Sequence, residues 1–186
     1  MKYCQPSPHH FEQIFSLQNK NLISVVDQKD RQNGFLSTIF TQEQFQVMNK
    51  SLGIMVALKN DVVCGYLCAT TIEFNQAFSF PAAMIKNCED LFYQNRSLNA
   101  YQYFIASPMC IDKNFRGKEV FLNLCKALLA IIPKQYELAV SLISTENNRS
   151  LSASKKAGAK IIKQFEEQNK KFWILLFELN ELRRIF

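Results

Sequence analysis

The sequence lacks the segments that mark exported, membrane-bound or multidomain proteins. The first six residues contain no apolar signal-peptide core, and no apolar run approaches the roughly 20 residues of a membrane span. Repeats, low-complexity tracts and linkers rich in Gly, Pro or Ser are also absent, and the chain has only five Gly and five Pro. We therefore expect a single domain spanning residues 1–186, in a cytoplasmic protein with no membrane partner.

Signatures of metal binding are missing as well. The six cysteines include no CxxC pair, and the two histidines are adjacent, at His9 and His10, so no zinc spacing exists. Cys64 and Cys68 fall on a predicted strand. We expect small buried thiols in a reducing compartment, solvated histidines and no metal.

The chain is basic, but its positive charge is not concentrated. The formal net charge is +6, the pI is about 9.0, and the Lys and Arg residues form no run longer than two. A dedicated nucleic-acid surface is therefore the least favoured interpretation, and one site for an anion fits the charge better.

What is present is an ordinary globular composition, with 48% apolar residues and sixteen Phe. Thr41 and Gln44 fit a helix capping box, and Phe40 and Phe45 fit the accompanying hydrophobic staple. Two apolar runs, 54–58 and 62–69, flank the polar residues 59–61 and predict a β-hairpin.

The second half alternates strands and helices. Phe80 and Pro81 predict the start of a helix whose apolar side includes Leu91 and Phe92. The predicted elements that follow are a strand at 109–111, a helix from about 119 that Pro133 ends, a strand at 138–143, a helix at 150–156, and strands at 159–165 and 171–179. This order predicts an α/β fold with a mixed, mostly antiparallel central sheet, a parallel pair in its middle, and flanking helices.

One segment carries the features of an anion site. At residues 111–121 a strand ends, a short basic turn follows and a helix begins. Main-chain N–H groups at a helix start have no internal partner and lie at the positive end of the helix dipole, so they can bind phosphate. Arg116 and Lys118 add positive charge there, and Gly117 allows close approach of the backbone. A plain surface turn with two basic residues remains the alternative.

A second segment, at 147–159, lies one strand later. Together the two segments resemble the signature regions of the GNAT superfamily of acyl-CoA-dependent N-acyltransferases. The positions that match the two signatures are Ile111, Phe115, Arg116, Gly117 and Lys118 in the first region, and Asn147, Arg149, Ser150, Lys156 and Gly158 in the second. The resemblance covers the order of elements from about residue 54 to 179 and implies a GNAT-like sheet.

The resemblance implies direct transfer of an acetyl group from acetyl-CoA, as co-substrate, to an amine in a ternary complex. The strand Met109, Cys110, Ile111 would pair with the pantetheine arm, and the N–H of Cys110 or Ile111 would stabilise the oxyanion. Residues implied to bind the diphosphate and pantetheine are Arg116, Gly117, Lys118, Glu119, Val120, Phe121, Asn147 and Ser150.

The sequence departs from the family pattern at several positions. Lys113, Glu119 and Phe121 replace a proline and two small residues, and a carboxylate at Glu119 competes with phosphate for the helix dipole. Ser154 stands where many members have a tyrosine acid. A serine hydroxyl is a poor proton donor, so either Ser154 orders a water or the thiol, or Tyr103 or Tyr136 serves as the acid. The amine would lose its proton through a water chain or a carboxylate, for which Glu73 and Glu146 are the nearest candidates by position.

Several of these residues have simpler interpretations, and the function has rivals. Asn147 is a natural helix cap, and Cys110 is a natural core residue. A non-catalytic module that binds CoA or a protein on the same fold is the main alternative. The acceptor could be an amino acid, a polyamine, an antibiotic or a protein N-terminus, and the chain a monomer or a homodimer.

Overall fold

The computed structural model describes all of residues 1–186. Seven α-helices are present: α1 (His10–Lys20), α2 (Gln42–Ser51), α3 (Ile72–Asn75), α4 (Ser79–Cys88), α5 (Val120–Ile131), α6 (Asn148–Lys156) and α7 (Leu179–Ile185). Ten strands accompany them: β1 (Lys2–Cys4), β2 (Ile54–Lys59), β3 (Val62–Cys68), β4 (Phe92–Tyr93), β5 (Arg96–Ser97), β6 (Tyr103–Ile105), β7 (Met109–Ile111), β8 (Leu138–Ser144), β9 (Lys160–Glu167) and β10 (Lys170–Glu178). None of the helices combines the length and the apolar character needed to cross a bilayer.

The strands form two four-stranded sheets and one small hairpin. The first sheet has the order β1-β2-β3-β7 and the second β6-β8-β10-β9, while β4 pairs with β5 alone. Every pairing is antiparallel except that of β6 with β8, which is parallel. The predicted mixed sheet with a parallel pair is confirmed, although β6 rather than β7 forms the pair.

One stretch of chain belongs to both sheets. Residues 103–111 pair with β8 through β6 and with β3 through β7, and the interruption at 106–108 contains Pro108, which has no N–H to donate. Thr70, just beyond β3, still exchanges two main-chain hydrogen bonds with Ile105. The sheets are therefore joined along this stretch and separate beyond it.

Three apolar clusters surround the sheets. Side chains of α1 and α2, including Ile14 and Phe45, pack on one face of the first sheet. Helix α5 packs between the two sheets through Leu124 and Leu128, and α4 covers the second sheet through Met84. These layers bury the hydrophobic side of each helix and leave the strand edges at the separation point uncovered by helices.

The strongest local signals in the sequence are confirmed. Thr41 and Gln44 exchange both hydrogen bonds of the capping box, and the rings of Phe40 and Phe45 lie with centroids 6.0 Å apart. The hairpin of β2 and β3 forms as predicted.

Two local predictions are wrong. Helix α4 ends at Cys88, so Phe92 lies on a strand with 73% of its surface exposed instead of on the apolar side of a helix. His10 is buried rather than solvated, because its Nδ1 accepts a hydrogen bond from the N–H of Ser7 and its Nε2 lies 3.2 Å from Asp61 Oδ1. His9 contacts the other oxygen of Asp61, so both histidines tie α1 to the hairpin turn.

Candidate active site

The point where the sheets separate opens into a cavity of about 690 Å³. More than half of its lining residues are hydrophobic. Its walls are β7, the second half of β8, the first turns of α5, helix α6, and an N-terminal segment that we call the strap (residues 33–38). A cavity of this size suits a small organic ligand.

Two unpaired strand edges border the cavity. The N–H of Asp112 donates to the carbonyl of Cys64, and the N–H of Cys68 donates to the carbonyl of Pro108. Because the main-chain groups of successive residues alternate between the two sides of a strand, those of Cys110 also point toward β3. Met109 and Ile111 therefore direct their N–H groups to the open side. Of the two oxyanion donors predicted from the sequence, only Ile111 has its N–H on that side.

The same alternation applies to β8. The N–H of Leu138 donates to the carbonyl of Gln102, and the carbonyl of Val140 accepts from the N–H of Ala106. Gln102 and Ala106 flank β6, which ends at Ile105. Leu142 and Ser144 then continue the edge with no strand beside them. An extended ligand arm can add hydrogen bonds to either edge, as a peptide does when it joins a sheet.

The start of α5 presents a run of free main-chain donors. The N–H groups from Gly117 to Leu122 have no acceptor in the protein. The first main-chain hydrogen bond of α5 is the one that Asn123 donates to the carbonyl of Glu119, so the N–H groups before Asn123 stay free. Gly117 has φ +78° and Glu119 has φ +58°, so left-handed residues alternate with Lys118. Such alternation forms the concave nest of N–H groups that binds anions.

Positive side chains flank this turn. Arg149 lies so near that a Cβ on Gly117 would sit 3.4 Å from its guanidinium, and Arg149 makes no hydrogen bond or ion pair within the protein. Burial, with a further contribution from Arg149, lowers the pKa of Arg116. A guanidinium group nevertheless stays charged in proteins. Lys156 also lines the cavity. These donors and charges fit a diphosphate.

Arg116 is engaged with the protein rather than free for a ligand. Its Nε donates to the carbonyl of Ile111 at 2.8 Å, Nη1 donates to the carbonyl of Asn33 at 2.7 Å, and Nη2 donates to Asn21 Oδ1 at 2.6 Å. Its charge still acts on the cavity, but its hydrogen bonds position the strap.

Asn147 plays a similar double part. Its Oδ1 accepts from the N–H of Ser150 and caps α6, while its Nδ2 donates to the carbonyl of Phe35 in the strap at 3.2 Å. The capping interpretation drawn from the sequence is therefore what the side chain does. Asn147 and Arg116 together hold the strap, which forms part of the cavity lining.

The predicted site residues fall into two groups. Most of them line the cavity together: Met109, Cys110, Ile111, Arg116, Gly117, Glu119, Phe121, Asn147, Ser150 and Ser154. Lys118 lies outside it, with its ammonium over the Phe115 ring, and Val120, the first residue of α5, is buried in the core.

The remaining candidates for proton transfer lie away from the cavity. Tyr103 is packed in the core beneath α4, where burial raises its pKa to about 12. Glu73 and Glu146 are exposed, and Tyr136 packs edge-on against Phe104. Only Ser154 among these candidates faces the cavity, and its hydroxyl has no hydrogen-bond partner in the protein.

Cysteine nucleophiles are disfavoured by the same burial. Cys110 and Cys125 line the cavity, and burial raises the pKa of each thiol to about 12. The reactive thiolate is therefore scarce at neutral pH.

The sequence analysis did not predict three parts of the site: the strap, the open edge of β8 and the free side chain of Arg149. Gly34 was an available signal for the strap, and the match of Arg149 to the second signature region was an available signal for that side chain.

Comparison with solved structures identifies the fold. Ard1 from Thermoplasma volcanium superposes with a TM-score of 0.64 at 14% identity, over 95% of this chain and 96% of that one. The NatC complex bound to Gag peptide and CoA gives 0.64 at 11% identity, over 95% and 97%. The acetyl-CoA-bound yncA from Salmonella typhimurium gives 0.61 at 13% identity, over 96% and 94%.

The chain thus has the fold of the GNAT N-acyltransferases, as its two signature segments indicated. At these identities the likeness shows the fold alone. No protein-family model and no curated protein matches the sequence.

Proposed function

We propose that this protein is an N-acetyltransferase that moves the acetyl group of acetyl-CoA to a primary amine by direct attack in a ternary complex. The observation that carries the proposal is the run of free N–H groups at residues 117–122, which lies beside Arg149 and opens into a cavity between two unpaired strand edges. Solved proteins of this fold include ones that contain CoA or acetyl-CoA.

In this proposal the free N–H groups bind the diphosphate, and Arg149 and Lys156 neutralise its charge. The pantetheine arm lies along the β7 edge. Acetyl-CoA supplies an activated acyl carbon, to which the amine nitrogen bonds as the carbon–sulfur bond breaks and the thiol leaves. The N–H of Ile111 donates to the acyl oxygen as negative charge develops there.

The chain provides few groups for moving protons. Glu119 is the only carboxylate on the cavity lining, and it sits beside the diphosphate turn. The amine proton therefore leaves through water, and the Ser154 hydroxyl orders that water or the departing thiol. Direct attack fits the raised pKa of Cys110 and Cys125, which removes them as acyl carriers.

Replacing Arg149 with glutamate tests the diphosphate site. Arg149 has no partner within the protein, so Arg149→Glu should leave the fold intact and reduce or abolish the thermal shift produced by acetyl-CoA. Arg184→Glu is the matched control, since Arg184 is exposed on α7, is not part of the cavity lining and undergoes the same charge change. A full thermal shift in Arg149→Glu, or no binding by the unchanged protein, contradicts the proposal.

A non-catalytic CoA-binding module is the second candidate. It is favoured by Glu119 inside the diphosphate turn and by the absence of a phenol or a second carboxylate from the cavity lining. Thiol release separates the two. Saturable acetyl-CoA binding with no thiol release over a broad amine panel would select the binding module over the enzyme.

A further inference from the structure

The parallel pairing of β6 with β8 ends at Val140. Ile105 lies opposite Val140, and the N–H of Ala106 donates to the carbonyl of Val140 at 2.8 Å. In a continued parallel ladder the N–H of Leu142 would donate to the carbonyl of Ala106, and the N–H of residue 108 would donate to the carbonyl of Leu142. Neither of these two hydrogen bonds forms.

Two features of the sequence explain why the ladder ends there. The hydroxyl of Ser141 donates to the carbonyl of Ala106 at 3.2 Å, so it engages the acceptor that the N–H of Leu142 would otherwise use. Residue 108 is a proline, which has no N–H to donate to the carbonyl of Leu142. Both main-chain groups of Leu142 are therefore left without a partner in the protein.

The β8 edge, which consists of Leu142 and Ser144, presents a fixed pattern of main-chain groups to the cavity. Leu142 offers its N–H and its carbonyl, and Ser144 offers its N–H, because the carbonyl of Ser144 accepts from the N–H of Asn147. Both residues of the edge are half-buried and line the cavity. Unpaired main-chain groups away from water favour a ligand that pairs with them. An extended amide chain carries donors and acceptors at the spacing of a strand and so complements this edge.

The β8 edge is distinct from the edge that the proposed function gives to acetyl-CoA. The diphosphate turn follows β7 directly in the chain, so an arm that extends from the diphosphate runs along the β7 edge. The β8 edge adjoins the strap instead, because Asn147, three residues after Ser144, donates to the carbonyl of Phe35. The β8 edge is therefore left for the second substrate.

We propose that the acceptor is a primary amine at the end of an extended amide chain, as in the N-terminus of a peptide, and that this chain pairs with the β8 edge. The inference rests on the proposed function and narrows it. An N–H of the acceptor chain donates to the carbonyl of Leu142, and the N–H groups of Leu142 and Ser144 donate to carbonyls of the acceptor chain. Alkylamines and polyamines have no amide groups for these bonds and are poorer acceptors.

Two variants of Leu142 test the edge. The N–H of Leu142 has no acceptor in the protein, so Leu142→Pro removes a donor without breaking a bond of the sheet, and Leu142→Ala is the matched control that keeps the N–H. The acceptors are trialanine amide and propylamine, and kcat/KM is measured by thiol release from acetyl-CoA. For trialanine amide we expect a kcat/KM about tenfold lower in the Pro variant than in the Ala variant, which corresponds to about 1.4 kcal/mol. For propylamine the two variants should be equal.

A change in the acceptor tests the carbonyl of Leu142 with the protein unaltered, and it serves even where the Pro variant does not fold. In the depsipeptide analogue of trialanine amide, ester oxygens replace both internal N–H groups. The analogue keeps the amine and the length of the chain but has no internal N–H to donate to the edge. We expect its kcat/KM to be about tenfold lower than that of trialanine amide.

Four results overturn the inference: no thiol release with trialanine amide, equal use of the depsipeptide, no selective loss in Leu142→Pro, or weaker acetyl-CoA binding in Leu142→Pro than in Leu142→Ala. The last result would assign the β8 edge to the pantetheine arm. The acetyl-CoA thermal shift is measured on the same samples. A normal shift in the unchanged protein together with any of the four results rejects the inference alone, whereas no shift in the unchanged protein rejects the proposed function.

Discussion

Glu119 adopts a backbone conformation that favours glycine. Its φ of +58° places a residue with a Cβ in the left-handed region, at the position where the family pattern has glycine. Holding a residue that has a Cβ in this region costs about 1 kcal/mol in strain. The side chain is exposed and caps nothing, so its charge lies beside the free N–H groups without a structural task.

Two substitutions at this position separate strain from charge. Glu119→Gly should raise the free energy of unfolding by about 1 kcal/mol and also tighten acetyl-CoA binding, since both the strain and the negative charge disappear. Glu119→Gln should tighten binding without the gain in stability. Denaturant unfolding and calorimetric titration measure the two effects, and a weaker affinity in both variants would show that the carboxylate assists binding.

For individual residues, the sequence identified the positions that belong to the site more successfully than it identified the contacts that those side chains make. Arg116 and Asn147 were marked by the motif, but their partners Asn33 and Phe35 come from segments far away in the chain. Nothing local specifies such contacts. Tyr103 was a plausible acid until the packing of α4 showed it buried.

Asn147 joins two elements through one side chain. Its Oδ1 caps α6 and its Nδ2 holds the strap. Asn147→Asp keeps the cap acceptor but loses the donor to Phe35, so α6 should stay protected while main-chain amides of the strap exchange faster with solvent. Because the strap lines the cavity, the KM for the substrate that contacts the strap should rise, while the KM for the other substrate should stay nearly unchanged.

Hydrogen exchange measured with steady-state kinetics checks the prediction. Asn148→Asp is the control, because it places the same charge change on the exposed neighbouring residue. Equal exchange of the strap in Asn147→Asp and the unchanged protein would mean that Arg116 alone positions it.

Asp61 links α1 to the hairpin between β2 and β3. Hydrogen bonds from His9 and His10 lower the pKa of its carboxyl from the ordinary value of 3.8. The charged form is therefore favoured in the folded state, so its stabilisation is present above pH 3.8 and is lost as the pH falls through the lowered pKa. Asp61→Asn should lower Tm at pH 7, and the difference should shrink below pH 3.8.

Asparagine suits this test because it tolerates the left-handed backbone that Asp61 adopts, with φ +62°. Asp90→Asn is the control, since Asp90 is exposed and makes no hydrogen bond or ion pair. If the Tm difference between Asp61→Asn and the unchanged protein were the same at pH 7 and pH 3, the charge of the Asp61 carboxylate would not be the source of the stabilisation.

Elements with strong local signals were predictable and short ones were not. The capping box of α2, the hairpin of β2 and β3, and helix α5 all follow from periodicity, caps and Pro133. β1, β6 and α7 were missed because three- to seven-residue elements offer too few positions for a period, and their stability comes from partners elsewhere.

The arrangement of the two sheets is a property of the whole molecule. A mixed sheet with a parallel pair could be deduced from the order of elements, but the separation of β7 from β8 could not. That separation depends on the interruption at 106–108 and on α5 packing between the sheets. The cavity, and with it most of the candidate site, results from this separation.

Because residues 103–111 contribute a strand to each sheet, a chain that is cut within this stretch should divide into two fragments that need each other. A break within 106–108 would leave β6 on the N-terminal fragment, although its partner β8 is on the C-terminal one, and would leave β7 on the C-terminal fragment, although its partner β3 is on the N-terminal one. Each fragment would therefore contribute one strand to a sheet of the other fragment. The two fragments form a natural pair for split-protein complementation, in which recovery of acetyl-CoA binding reports that the halves have met.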